Sequence, residues 1–176
     1  MPLFKTSQAP SSLILIIHNV RSTHNVGSML RSSDGLGVDK VYMTGYTPYP
    51  RQVRDSRLPH LASKIDNQIH KTALGAETTV NWQFEPDIAV LIKHLRREGY
   101  AICALEQTPD SIALPEFKPP AKLALIVGRE VEGLEEQVIQ AADYCVAIPM
   151  LGQKESFNVA VAAAIALYHC RYCQIG

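Results

Sequence analysis

No apolar run in this 176-residue chain approaches the roughly 20 residues of a membrane-spanning helix, so no membrane role is expected. The first apolar run, 13–17, is too short for a secretory leader and follows Pro10 and two serines. Cysteine is scarce: Cys103, Cys145, Cys170 and Cys173 are the only four. Three of them fall in or beside strand or helix patterns, which argues for reduced thiols rather than a disulfide framework. Cys170 and Cys173 form a C-x-x-C without a second ligand pair, and no His/Cys/carboxylate cluster has metal spacing, so no metal is expected. The expected compartment is the cytoplasm. Net charge is also absent, with 17 Lys and Arg against 17 Asp and Glu, which removes the overall basic footprint of many nucleic-acid binders. No G-x-G-x-x-G follows the first strand-like run, and the chain holds no G-x-x-x-x-G-K-[ST] and no G-x-S-x-G. A dinucleotide fold, a P-loop and a serine-hydrolase elbow are thereby disfavoured. There are no internal repeats and no low-complexity tracts.

What is present is apolar patterning, 47% of the residues, enough to fill the core of one domain. The expected division is a short N-terminal arm, 1–11, and a single domain, 12–176. Strands are predicted at 12–17, 40–44, 78–84, 100–105, 123–127 and 144–148. Helices are predicted at 24–36 (capped by Thr23), weakly at 60–74, at 86–97 opened by Pro86, at 134–141, and from a cap at Ser156 through 167. A proline-rich irregular loop at 45–58 and a proline-punctuated connection at 108–120 link them. Alternating strands and helices predict an α/β fold, a mainly parallel sheet flanked by helices. Ligands in such sheets bind outside the carboxyl ends of the strands, which selects three loops: 19–25, 128–133 and 149–158. Charge is also unevenly placed. Segment 51–71 holds Arg51, Arg54, Arg57, Lys64 and Lys71 against Asp55 and Asp66, a net of +3, a local face able to meet phosphates.

The polar groups expected to converge from those three loops are Asn25, Arg31, Glu130, Ser156 and Asn158. They include no conventional nucleophile. Such a set suits group transfer in which a cofactor carries the electrophile and the protein positions it. Asn158, in the first turn of an otherwise apolar helix, is expected to be buried and to need partners.

Three blocks carry a resemblance. Asn25-Val26-Gly27-Ser28-Met29-Leu30-Arg31, then Ile126-Val127-Gly128-Arg129-Glu130 through Gly133-Leu134, then Ile148-Pro149-Met150 with Ser156-Phe157-Asn158-Val159-Ala160-Val161-Ala162 occur in this order. They resemble the three motifs of the SpoU (TrmH) family of RNA ribose 2′-O-methyltransferases, of the SPOUT superclass. Phe157 departs from the family's usual leucine. The resemblance implies the SPOUT fold with a C-terminal trefoil knot, an exception to the rule against knots, and S-adenosylmethionine as cofactor. It also implies cofactor contacts around Gly128, Ile148, Met150, Ser156, Asn158 and Ala160, and Asn25, Arg31, Glu130, Ser156 and Asn158 as catalytic residues. Arg31 is the group assigned to the ribose hydroxyl. A guanidinium is a poor base, so an orienting and charge-stabilising role suits it better; Asn25 or Glu130, from the same chain or a partner, would hold it. The implied substrate is tRNA or rRNA, bound through Arg21, Arg51, Arg54 and Arg57. A homodimer is expected because helix 159–167 is apolar on every side and needs partners on two faces. Three other outcomes stay open: a non-catalytic RNA-binding member of the fold, a SPOUT enzyme acting on a base nitrogen, and an unrelated α/β nucleotide-binding enzyme.

Overall fold

The computed structural model describes residues 10–172; most of the expected arm, and Cys173 of the C-x-x-C, lie outside them. Strands β1 (Ser12–His18), β2 (Lys40–Thr44), β3 (Trp82–Glu85), β4 (Ala101–Leu105), β5 (Ile112–Ala113), β6 (Lys122–Val127) and β7 (Tyr144–Ala147) form one sheet. Its order is β3-β2-β1-β6-β4-β7-β5, and every pairing is parallel. The expected α/β class is met, and the order is consistent with the C-terminal knot that the resemblance implies.

The central strands show why. In β1, Leu13, Leu15 and Ile17 enter one core while Ile14 and Ile16 enter the other. In β6, Leu123, Leu125 and Val127 do the same against Ala124 and Ile126. A strand buried on both faces must be apolar throughout, and each such Leu or Ile contributes ~1.5–3 kcal/mol on burial. Helices α1 (Thr23–Gly35), α2 (Pro59–Ala73) and α6 (Val159–Tyr172) cover the first face. Helices α4 (Ile88–Arg97) and α5 (Glu136–Gln140) cover the second. Helices α1 and α2 approach closely at Gly27, where a Cβ would lie 2.2 Å from Thr72 Oγ1 and 2.3 Å from the Ile69 carbonyl oxygen. The glycine of the first motif is therefore a helix-packing residue.

Several local expectations are corrected. Residues 78–84 are not one strand: Ala76–Thr79 is a single helical turn, α3, and β3 starts at Trp82. The hydroxyls of Thr78 and Thr79 donate to the carbonyls of Gly75 and Ala76, a local bonding pattern that overrides β propensity. Ser22, not Thr23, caps α1. Asp87 caps α4 by accepting from the amides of Ala89 and Val90, so Pro86 precedes the helix rather than opening it. Helix α5 begins at Glu136 rather than 134, and β7 stops at Ala147. A two-residue strand, β5, lies within the 108–120 connection.

Candidate active site

Parallel strands bring the carboxyl ends of β1, β6, β4 and β7 side by side, and the loops that follow them gather at one edge. There one amide joins all three motifs. The Ser22 hydroxyl accepts from the Asn25 amide at 3.2 Å and starts α1. Asn25 Nδ2 donates to Glu130 Oε1 at 3.2 Å, and Asn25 Oδ1 accepts from Asn158 Nδ2 at 3.2 Å. Glu130 also accepts from the Ser22 amide at 3.1 Å. Burial pushes its carboxyl up, but the hydrogen bonds from Ser22 and Asn25 outweigh this and hold it below the usual carboxylate range. Asn158 Oδ1 accepts from the amides of Ala160 at 2.9 Å and Val161 at 3.4 Å. Asn158 is therefore the cap of α6, in place of Ser156. It is exposed rather than buried, because the cap position lies outside the helix it closes.

Beside this junction lies a pocket of about 180 Å³. Leu105, Val127, Val146 and Ile148 supply apolar wall, while Glu106, Glu130, Glu132 and Ser156 supply polar groups. Gly128, Met150 and Phe157 also line it. The glycines of the second motif have a steric cause. A Cβ on Gly128 would lie 2.8 Å from the Gly133 carbonyl carbon and 2.8 Å from the Leu134 nitrogen. Gly133 is left-handed, with φ 67°, and a Cβ there would lie 2.1 Å from Glu106 Oε2. Glu106 Oε2 accepts from the Leu134 amide at 2.8 Å, clamping the turn to the end of β4. Sequence reasoning missed Glu106 and Gln107. The rule that selected the other loops applied to β4 equally, but no family motif drew attention to its end.

A second network lies under the same turn. His18 is buried, with Nδ1 2.7 Å from Thr44 Oγ1 and Nε2 3.1 Å from Glu135 Oε2. Glu135 Oε2 is buried and has no other partner, while Asn19 Nδ2 donates to Glu135 Oε1 at 2.9 Å. Asn19 Nδ2 also lies 3.0 Å from His18 Nε2, so this one ring nitrogen is approached by both an amide and a carboxylate. Burial lowers the His18 pKa against the opposing pull of Glu135. Burial also raises Glu135, and its backbone hydrogen bond, the Asn19 amide and the nearby Arg129 return it below its ordinary value.

The remaining expected residues are placed as follows. Gly128, Glu130, Ile148, Met150 and Ser156 line the pocket. Asn25 and Asn158 bond directly to each other, and Asn25 reaches Glu130 of the lining. Ala160 faces the core and is not part of the lining. Arg31 is exposed, lies outside the lining, and touches neither Asn25 nor Glu130. Arg21 is exposed, its guanidinium 5.7 Å from the centroid of the Tyr46 ring. Arg51 and Arg54 are exposed as well. Arg57 is turned inward: it pairs with Asp55, donates to the carbonyls of Tyr49 and Pro50, and stacks 3.8 Å from the Tyr49 centroid. It organises the 45–58 loop and is not a free cation. Among the described residues no group of His, Cys, Asp and Glu is placed to hold a metal ion. No helix there is long and apolar enough to cross a membrane.

The model of the SpoU rRNA Methylase family matches residues 12–168. The chain belongs to that family. It is 30% identical over 157 residues to a 23S rRNA (guanosine-2′-O-)-methyltransferase, RlmB, of Ralstonia nicotianae, covering 89% of this chain and 57% of that protein. It is 26% identical over 159 residues to the tRNA (guanosine(18)-2′-O)-methyltransferase of Escherichia coli, covering 90% of this chain and 62% of the relative. The chain thus spans less than two thirds of the length of these curated relatives. An AdoMet-bound rRNA methyltransferase from Sinorhizobium meliloti shares the fold, with a TM-score of 0.77 at 18% identity over 96% of this chain and 59% of that one. As a SpoU-family chain, this protein carries its three motifs on three separate segments, the first in the opening turns of α1, that fold into one junction.

Proposed function

We propose that this SpoU-family chain transfers a methyl group from S-adenosylmethionine to a ribose 2′-hydroxyl of tRNA or rRNA, as a cytoplasmic homodimer. The observation that carries the reading is the Glu130–Asn25–Asn158 junction beside the pocket. It gathers the three motifs where an α/β sheet presents ligands. The activities for which the curated relatives are named support the same chemistry, and the cofactor in the Sinorhizobium meliloti structure supports the donor.

The pocket fits such a donor. Its apolar wall with Phe157 suits a nucleoside ring, its carboxylates suit hydroxyls and a positive charge, and its glycines let backbone approach closely. Gly128, Ile148, Met150 and Ser156 would hold it. Bound there, S-adenosylmethionine supplies an electrophilic sulfonium methyl. The residues of the chain do the rest by position, and alignment of the reacting groups can lower a barrier by ~7–11 kcal/mol. Glu130, held as a carboxylate, fixes Asn25, and Asn25 fixes the start of α6 through Asn158. Arg31, a free guanidinium outside its own chain's pocket, serves the pocket of a second copy. There it orients the target phosphate and stabilises charge developing on the ribose oxygen. The uncovered apolar side of α6, with Val161, Tyr168 and Tyr172 exposed, supports pairing of two copies.

The test is methyl transfer from labelled S-adenosylmethionine to total tRNA and, separately, to rRNA, with products digested to nucleosides. A 2′-O-methylated nucleoside made by the wild type and lost in Arg31→Ala is the expected result. A methylated base, or cofactor binding without transfer to either pool, would overturn the reading.

A further inference from the structure

Residues 45–47 are mounted on the end of β1 with unusual rigidity. Gly45 is left-handed, φ 64°, and the place of its missing Cβ lies 1.9 Å from Asn19 Oδ1. Asn19 is itself left-handed, φ 56°, a conformation that asparagine tolerates best among residues with side chains. Its Oδ1 accepts from the Tyr46 amide at 3.1 Å, and its Nδ2 donates to Glu135. On the other side, the buried Thr47 hydroxyl donates to the Ile17 carbonyl at 2.9 Å and accepts from the Val20 amide at 3.2 Å. The backbone of Tyr46 is thus pinned from both flanks, while its side chain stays 50% exposed.

An aromatic ring held in water by its backbone has something other than the core to pack on. The Arg21 guanidinium lies over the Tyr46 ring, and the Arg21 amide is 3.4 Å from Glu130 Oε2. The sequence of contacts Tyr46–Arg21–Glu130 therefore ends at the pocket wall. A rigid ring beside a cation that is bonded through its amide to the wall of the candidate pocket has the composition that binds unpaired RNA. The ring stacks on a base and the guanidinium meets phosphate. A duplex presents no free base face to such a ring.

We infer that Tyr46 is a stacking platform for an unpaired RNA base next to the target nucleotide, with Arg21 holding the adjoining phosphate; this rests on the ribose methyl transfer proposed above. Asn19 and Gly45 position the platform and do not touch the RNA. The ring face is what stacks on the base.

The experiment compares wild type with Tyr46→Phe, Tyr46→Trp and Tyr46→Leu. Binding of a labelled single-stranded oligoribonucleotide and of its duplex is measured, with methyl transfer to the productive RNA pool, S-adenosylmethionine affinity and gel-filtration volume alongside. Tyr46→Leu is expected to weaken single-strand binding by roughly five- to a hundredfold, the range of one base–aromatic stack, and to raise KM for RNA. Tyr46→Phe and Tyr46→Trp are expected to bind as wild type does, and cofactor affinity to stay the same in all four. Wild-type RNA binding by Tyr46→Leu overturns the platform, and so does an equal loss in Tyr46→Phe. A changed elution volume for Tyr46→Leu assigns the ring to a contact between copies instead. If wild type binds the single strand and Tyr46→Leu does not, yet neither transfers a methyl, the platform stands and the ribose reading falls. No RNA binding by wild type overturns both.

Discussion

Asn158 serves two ends that substitutions can separate. Its Oδ1 caps α6 and its Nδ2 reaches Asn25. Asn158→Asp keeps an acceptor at the cap and places a charge that suits a helix N-terminus, but loses the donor to Asn25. Thermal unfolding is expected within about 0.5 kcal/mol of wild type, while methyl transfer falls by about tenfold or more, the equivalent of ~1.4 kcal/mol of positioning. Asn158→Ala is expected to lose activity and also about 1 kcal/mol of stability. Equal activity in Asn158→Asp and wild type would reduce the residue to a cap. Asn25, Glu130, Ser156 and Asn158 could be picked out of the sequence because each sits in a motif of fixed spacing. Their partners were not. The contacts that define Asn158 run to a residue 133 positions away, and no local pattern encodes which amide meets which.

Gly27→Ala puts a methyl against backbone at Ile69 as well as the Thr72 hydroxyl. Overpacking of this kind costs about 1–3 kcal/mol, and a chemical melt of the variant reads it; an unchanged midpoint would mean that α1 and α2 can separate freely. The 45–58 loop divides its arginines by burial. Arg51→Ala with Arg54→Ala is expected to weaken RNA binding and flatten its salt dependence while sparing S-adenosylmethionine affinity. Arg57→Ala is instead expected to cost about 1.5–3 kcal/mol of stability, because its hydrogen bonds with Asp55 and the carbonyls of Tyr49 and Pro50 are lost. The two outcomes exchanged would reverse the assignment. Composition marks this segment as basic, but only the fold shows that one of its three arginines points inward.

For the whole molecule, the decisive question is which pocket Arg31 serves. Arg31→Ala and Asn158→Asp are each expected to be poorly active, and co-expressed mixtures are expected to recover activity. A heterodimer retains one intact site when the arginine and the pocket come from different copies. A mixture as inactive as its parents would place Arg31 in its own chain's site. Stability also depends on pH through the network under the pocket. His18 is neutral when folded and its pKa is lowered by burial, so the unfolded chain binds a proton first as pH drops through about 6.5. Stability then decreases until the folded pKa is reached. Glu130 and Glu135, both held below their ordinary values, lose their contribution at lower pH still. Melting temperature is expected to fall between pH 7.5 and 5.5, more steeply in wild type than in His18→Gln. Equal slopes would mean that His18 titrates alike in both states.

The sequence by itself determined the architecture of this protein. Apolar runs that alternate with helical patterns leave a parallel sheet covered on both faces as the way to bury Leu13–Ile17 and Leu123–Val127 together. It also pointed to three of the loops around the pocket, since strand ends and motif spacing are local properties. The tertiary structure alone decided that Asn25 rather than Arg31 meets Glu130, that Glu106 closes the turn, that Arg57 turns inward and that Tyr46 is held outward. Each of these depends on where a side chain ends in space after chain segments far apart in sequence have packed, and such distances are set by the whole fold rather than by any window of residues.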